Sequence, residues 1–141
     1  PTLHVFEQMG EERPEEIPPE QWETRVKMRA GMVAVGDHFT KEMSRRGVRF
    51  LVGQDGNDPD ATLAEMGHLR ARGVPPAEVL KGATLYPAQW LGVEERLGSI
   101  EPGKEARILV LDRNPLEEIE NIRSVFLVID GQQILANNGK N

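Results

Sequence analysis

The spacing of apolar residues between positions 20 and 46 has a helical period and predicts one long helix. The apolar positions form two adjacent stripes: Trp22, Val26, Ala30 and Val33, then Val35, Phe39 and Met43. Arg45 and Arg46 complement the negative end of the helix dipole, and Gly47 is a suitable stop. Before this helix, Thr2–Phe6 is typical of a strand, and the proline-rich acidic stretch from Gly10 to Pro19 is typical of a surface loop.

The apolar run Val48–Val52 is too short for a helix and too apolar for a surface strand. It predicts a strand buried on both faces, as in parallel sheets. A helix, a glycine turn and a buried strand in this order are typical of a parallel α/β protein.

Turn residues divide the next stretch into two helices. The dipeptide Asp58-Pro59 begins the first, and Gly73 ends it. Pro75-Pro76 begins the second, which Pro87 must interrupt and Gly92 closes.

The pattern becomes β-rich after Gly92. Ile108–Leu111 and Val125–Ile129 are predicted strands, Asn114-Pro115 is a predicted turn, and Asp130-Gly131 is a predicted hairpin turn leading into residues 132–135. We therefore predict two domains, residues 1–92 and residues 93–141.

Length and composition exclude several classes of fold and function. The chain has 141 residues, a net charge of −6 and no cysteine. A complete (β/α)8 barrel needs about 250 residues, so this chain cannot hold one. The acidic charge argues against a nucleic-acid partner, and no apolar run approaches the roughly 18 residues of a membrane span. We expect a cytoplasmic protein, and from the strand-like start at Pro1 we also expect that upstream sequence is missing.

Asp55 is the leading candidate for chemistry. It follows the predicted strand within Gly53-Gln54-Asp55-Gly56, and acids at the carboxyl ends of barrel strands carry the chemistry of (β/α)8 enzymes. A carboxylate there can bind a cation and move a proton. The alternative is that Asp55 only shapes a turn, since Asp and Gly are common turn residues.

Several short motifs, in this order, resemble the C-terminal end of metal-dependent amidohydrolases, closest to imidazolonepropionase-like and prolidase-like members. After Gly-x-Asp they are Ala83-Thr84-Leu85-Tyr86-Pro87-Ala88, Leu91-Gly92, Gly98-Ser99-Ile100-Glu101-Pro102-Gly103-Lys104, Leu109-Val110-Leu111-Asp112, Asn114-Pro115-Leu116 and Ile129-Asp130-Gly131. The resemblance implies an α/β fold: the C-terminal part of a (β/α)8 TIM barrel, followed by part of a small β-rich subdomain.

The resemblance also implies a role for Asp55, as metal ligand and catalytic proton shuttle. The implied cofactor is a divalent metal, zinc above all, with one or two ions. Three positions depart from the family. Gln54 replaces the usual Thr, Arg107 replaces an Asp after Ala106, and Leu63-Ala64-Glu65-Met66 keeps a Glu but lacks the preceding His.

The implied function is hydrolysis of amide or cyclic amide C–N bonds of a small-molecule substrate by metal-activated water. The family's other ligands follow strands that this chain lacks, so we expect a fragment that is inactive alone. We expect partners in the remainder of the barrel or another chain, and association into homo-oligomers through uncovered faces and edges. The competing hypothesis is a non-enzymatic interaction or scaffold module.

Other candidate sites are weaker. His38 and His68 lie in predicted helices and are expected at the surface or half-buried, whereas His4 could line a pocket of a longer protein. Gly98-x-x-x-x-Gly103-Lys104 resembles a phosphate-binding loop, but Glu105 follows it where Ser or Thr is needed. The acidic residues 55–60 do not match an EF-hand.

Overall fold

The computed structural model of the chain describes residues 12–54, 58 and 60–139. The predicted strand Thr2–Phe6 lies outside these residues. The chain divides into two compact units, the first formed by residues 1–48 and 53–74 and the second by residues 49–52 and 75–141. The domain boundary near Val93 stays a prediction.

The first unit contains the predicted long helix, α1, which spans Pro19–Arg45. Pro19 stands in the first turn, where its missing N–H removes no intrahelical hydrogen bond. Gly47 follows the helix with φ of 70°, a left-handed conformation that favours glycine. The prediction of a helix stopped by this glycine is confirmed.

The apolar stripes of α1 are far more exposed than their pattern suggests. Trp22 and Val33 are only half-buried, and Val35 and Phe39 are each 56% exposed. Thr40 is the helix's one buried residue. Within the described part of the chain α1 therefore keeps an uncovered apolar face, which the resemblance led us to expect and the apolar pattern alone did not.

The second helix of this unit, α2, spans Ala61–Ala71 and buries Met66 and Leu69. The helix begins later than predicted. The backbone N–H of Asp60 donates a hydrogen bond to Oδ1 of Asp58 at 2.9 Å, and this bond stabilises a turn before the helix. Pro59 lies outside the described residues. Gly73 ends the helix with φ of 87°, as predicted.

In the second unit, α3 spans Pro76–Ala83 and α4 spans Leu85–Leu91. Thr84 separates them with φ of −132° and ψ of −79°. Pro87 lies in the first turn of α4, which explains why the predicted single helix is divided there. Gly92 closes α4 in a left-handed conformation.

The predicted buried strand at residues 48–52 is not a strand in the structure. Phe50 is buried with 8% of its surface exposed, but Val48 and Leu51 are exposed. A strand requires a neighbouring strand to complete its hydrogen-bond ladder. Among the described residues the segment instead has a helix as its backbone partner, through the N–H of Val52 and the carbonyl of Gly82.

The β-rich part of the second unit is a three-stranded antiparallel sheet in the order β1-β2-β3. The strands are β1 (Arg107–Leu111), β2 (Val125–Asp130) and β3 (Gln133–Asn137), with a 3₁₀ helix at Ile119–Arg123 before β2. Asp130 pairs with Gln133, so the loop residues are 131 and 132, one later than predicted.

The architecture is thus mixed α/β. No helix among residues 12–54, 58 and 60–139 is long and apolar enough to cross a membrane.

Candidate functional site

Asp55, the predicted catalytic and metal-binding residue, lies outside the described residues. The structure does describe the segment that leads to it. Gln54, directly before Asp55, is half-buried, and its side-chain Oε1 is enclosed with no hydrogen-bond partner among the described residues. Gln54 is also where the chain departs from the Thr usual in the family it resembles, and the replacing side chain carries an enclosed acceptor without a partner among the described residues.

The segment before Gln54 is held closely against helix α3. The N–H of Val52 donates to the carbonyl oxygen of Gly82 at 2.9 Å. A Cβ at position 82 would lie 2.7 Å from the carbonyl oxygen of Phe50 and 3.2 Å from Cγ2 of Val52. Glycine is therefore required there for the close approach of the two backbones.

Arg49 at the start of the segment binds helix α4. Its guanidinium lies over the ring of Tyr86, with Cζ 4.9 Å from the ring centroid, which is a cation–π contact. Its Nη1 also donates to Oε1 of Gln89 at 3.2 Å. Sequence reasoning missed this pair, because the contact depends on the packing of residues far apart in the chain.

Tyr86 belongs to a charged network on α3 and α4. Its hydroxyl donates to Oε2 of Glu78 at 2.5 Å, and Nζ of Lys81 donates to Oε1 of Glu78 at 2.8 Å. The hydrogen bond to Glu78 raises the pKa of Tyr86. The hydrogen bonds from Lys81 and then Tyr86 lower the pKa of Glu78, and Glu78 in turn raises the pKa of Lys81.

In the first unit, α2 carries a buried carboxylate. Glu65 is 0% exposed, on the same helix face as Met66 and Leu69. Arg72, also buried, forms an ion pair from Nε to Oδ1 of Asp37 at 2.6 Å and ties the end of α2 to α1. The sequence drew attention to Glu65 through its resemblance, but not to Arg72, whose charge predicted exposure.

The histidines do not form a site in the described residues. His38 is exposed on α1 and His68 is half-buried on α2, which confirms the prediction for both. His4 lies outside the described residues.

A metal centre needs several ligating side chains close together. Residues 12–54, 58 and 60–139 contain no group of three or more His, Cys, Asp or Glu residues able to hold a metal ion. These residues alone therefore do not fit a metal centre.

The glycine-rich stretch 98–103 is a closed turn. Nζ of Lys104 donates to Oγ of Ser99 at 2.6 Å and to Oε1 of Glu101 at 3.2 Å, and Ser99 Oγ donates to Glu101 Oε1 at 2.6 Å. Glu105 forms an ion pair with Arg96. The lysine is thus engaged within the turn, and β1 rather than a helix follows, which argues against a phosphate-binding loop.

The order of elements and the short motifs can be compared with known proteins. The model of the Amidohydrolase family matches residues 37–134. The chain belongs to this family.

Relatives of this amidohydrolase chain include a deacetylase and an imidazolonepropionase. The N-acetylgalactosamine-6-phosphate deacetylase of Escherichia coli is 47% identical over 53 residues, which cover 38% of this chain and 14% of the relative. The imidazolonepropionase of Thermoplasma acidophilum is 41% identical over 51 residues, covering 36% and 12% respectively. The family relatives are hydrolases that act on carbon–nitrogen bonds, among them deacetylases, deaminases and prolidases.

Solved structures extend the likeness over almost the whole chain. A Xaa-Pro dipeptidase structure with bound methionine in its active site superposes with a TM-score of 0.78 and 26% identity, covering 97% of this chain and 34% of that one. This amidohydrolase chain therefore spans about a third of that enzyme's length. The resemblance to imidazolonepropionase-like and prolidase-like members is confirmed.

Proposed function

We propose that this chain is the C-terminal part of a (β/α)8 barrel with part of its β-rich subdomain, from a metal-dependent enzyme that hydrolyses amide or cyclic amide C–N bonds. The observation that carries the proposal is the family match over residues 37–134, which includes Asp55 and the segment that leads to it. The carbon–nitrogen hydrolases among the relatives support the reaction class.

Asp55 would hold a divalent metal, zinc above all, together with ligands from outside this chain. When bound, such a metal polarises the substrate carbonyl and lowers the pKa of water toward about 7. One or two ions fit the proposal, because the number is set by the ligands supplied from elsewhere.

The proposed role of Asp55 is proton transfer. Its carboxylate orients the attacking water and accepts the proton that the water loses as its oxygen bonds to the carbonyl carbon. The protonated carboxyl then donates that proton to the leaving nitrogen as the C–N bond breaks. Asp55 ends the cycle as a carboxylate, so protons balance without another residue of this chain.

This function needs partners. A structural zinc site has four ligands and a catalytic one three protein ligands plus water, so one carboxylate is insufficient. We expect the remainder of the barrel or another chain to supply them, and the 141-residue chain to be inactive alone. A cytoplasmic location remains an expectation from the absence of cysteine.

The test is a chimera in which this chain replaces the corresponding third of the Xaa-Pro dipeptidase. The chimera should hydrolyse a Xaa-Pro dipeptide when loaded with metal, and Asp55→Asn should lower kcat by about 10²- to 10⁴-fold while circular dichroism stays unchanged. The proposal fails if the folded, metal-loaded chimera is inactive, or if the Asp55→Asn variant is equally active.

A further inference from the structure

The short segment of residues 49–52 has an unusual set of anchors in the second unit. It belongs to that unit although residues on both sides of it belong to the first. We infer that α3 and α4 form a backbone clamp on this segment, with Gly82 and Arg49 as positioning residues for the chain that leads to Asp55. The inference rests on the proposed function only for the role of Asp55.

Gly82 provides the first anchor. It lies inside helix α3, where glycine is less favourable than alanine. Its missing side chain leaves room for the carbonyl of Phe50, which a Cβ would approach to 2.7 Å. The same close approach brings the Val52 N–H within 2.9 Å of the Gly82 carbonyl.

Arg49 provides the second anchor, through its side chain. The Tyr86 ring beneath its guanidinium is fixed by the hydrogen bond from the Tyr86 hydroxyl to Glu78, which Lys81 holds in turn. Gln89 accepts a further hydrogen bond from Arg49. Tyr86 and Gln89 both lie on α4, and Glu78 of α3 acts on Arg49 through the Tyr86 hydroxyl.

The two anchors flank Phe50, whose side chain is buried. A segment fixed at Arg49 and at Val52 has little freedom in the backbone between them. Only Gly53 and Gln54 separate Val52 from Asp55 in the sequence. The clamp therefore fixes the backbone of residues 49–52 directly before the stretch that contains Asp55 in the sequence.

The direct test is amide hydrogen exchange at Val52 in the 141-residue chain, without metal or substrate. Gly82→Ala should accelerate exchange by about 5- to 10-fold, as expected for loss of one hydrogen bond. The matched control is Gly31→Ala in helix α1, where a Cβ meets nothing within 4 Å. This control should leave Val52 exchange unchanged, and Val128 in β2 should keep its protection in both variants.

A second pair of variants covers the case in which Gly82→Ala does not fold. Arg49 is exposed, so its replacement leaves no cavity in the core and removes only its contacts with Tyr86 and Gln89. Arg49→Met should accelerate Val52 exchange and shift the Gly53 amide resonance, and Arg49→Lys should restore part of both effects. Val52 exchange that is unchanged in either Gly82→Ala or Arg49→Met overturns the clamp.

The chimera described above separates positioning from stability. There Gly82→Ala should lower kcat about 10-fold per folded, metal-loaded molecule with KM unchanged, whereas a purely structural glycine would lower only the folded fraction. Unchanged kcat in that variant contradicts the positioning role. Because the exchange experiment needs no catalysis, the clamp and the proposed function can fail separately.

Discussion

Tyr86 is the single tyrosine of the chain, and its surroundings show what residue-level reasoning can and cannot reach. The sequence placed Tyr86 in a family motif and in a helix, which the structure confirms. It did not predict the Arg49 guanidinium over the ring, since the two residues are brought together by packing. Nor could it predict that Gln54 Oε1 lacks a partner among the described residues, because local pattern carries no information on distant donors.

The first residue-scale prediction concerns the pH dependence of the Tyr86 network. Because Glu78 accepts its proton in a hydrogen bond, the pKa of Tyr86 lies above its usual value of about 10. The stabilisation of the fold by this hydrogen bond is present below about pH 10 and is lost as pH rises through the raised pKa of Tyr86. Near-ultraviolet tyrosinate absorbance should show a midpoint above 10 in the native chain and a lower midpoint in Glu78→Gln.

At acidic pH the stability of the network changes in the opposite direction. The pKa of Glu78 is lowered in the folded chain. The contribution of Glu78 to stability is therefore present above its pKa in the unfolded chain, about 4.3, and is lost as pH falls through the lowered pKa. Thermal melts should therefore lose stability between about pH 5 and pH 3 in the native chain, and lose less in Glu78→Gln. Identical acid limbs in the two proteins would contradict this role of Glu78.

The second residue-scale prediction concerns Gln54. A buried acceptor without a partner costs about 1–3 kcal/mol. Gln54→Met keeps the length of the side chain and removes the amide, so we expect the free energy of unfolding to rise by about 1 kcal/mol. Urea denaturation measures this, with Gln133→Met on exposed β3 as control; a less stable Gln54→Met variant would show that the amide has a partner.

At the scale of elements, turn residues in the sequence predicted the ends of the helices most reliably. Gly47, Gly73 and Gly92 end their helices with positive φ, as the sequence predicted. Residues 48–52 were predicted wrongly because an apolar run indicates burial but does not supply the neighbouring strand that a β ladder needs. The hairpin between β2 and β3 was placed within one residue.

Two helical glycines give an element-scale prediction with opposite signs. Gly31→Ala gains helix propensity in open space and should raise the free energy of unfolding by about 1 kcal/mol. Gly82→Ala gains the same propensity but places a Cβ 2.7 Å from the Phe50 carbonyl oxygen, so it should be destabilising. Calorimetry measures the change in the free energy of unfolding for each variant. If both substitutions are stabilising, the close approach at Gly82 is contradicted.

For the whole molecule, the uncovered apolar residues of α1 are the dominant feature. Val35 and Phe39 are exposed on this helix, and among the described residues the sheet has unpaired edges at β1 and β3. The sequence predicted both the helix and its apolar stripes. It did not identify the surface that packs against them, because an apolar stripe indicates burial without specifying its packing partner.

This exposure predicts association of the isolated chain. Phe39→Glu places a charge in the apolar face, so it should lower the average mass measured by light scattering, whereas Arg45→Glu at the exposed helix end should not. A wild-type chain that is a uniform monomer with cooperative unfolding would show that this face needs no partner.

The measurement that tests the central claim most directly is the zinc content of the purified 141-residue chain after gel filtration, compared with Asp55→Asn. The account predicts that neither protein retains zinc, because Asp55 requires ligands from outside the chain. One tightly bound zinc ion per wild-type chain, lost in Asp55→Asn, would contradict it and show that the site is completed within the chain or between its own copies.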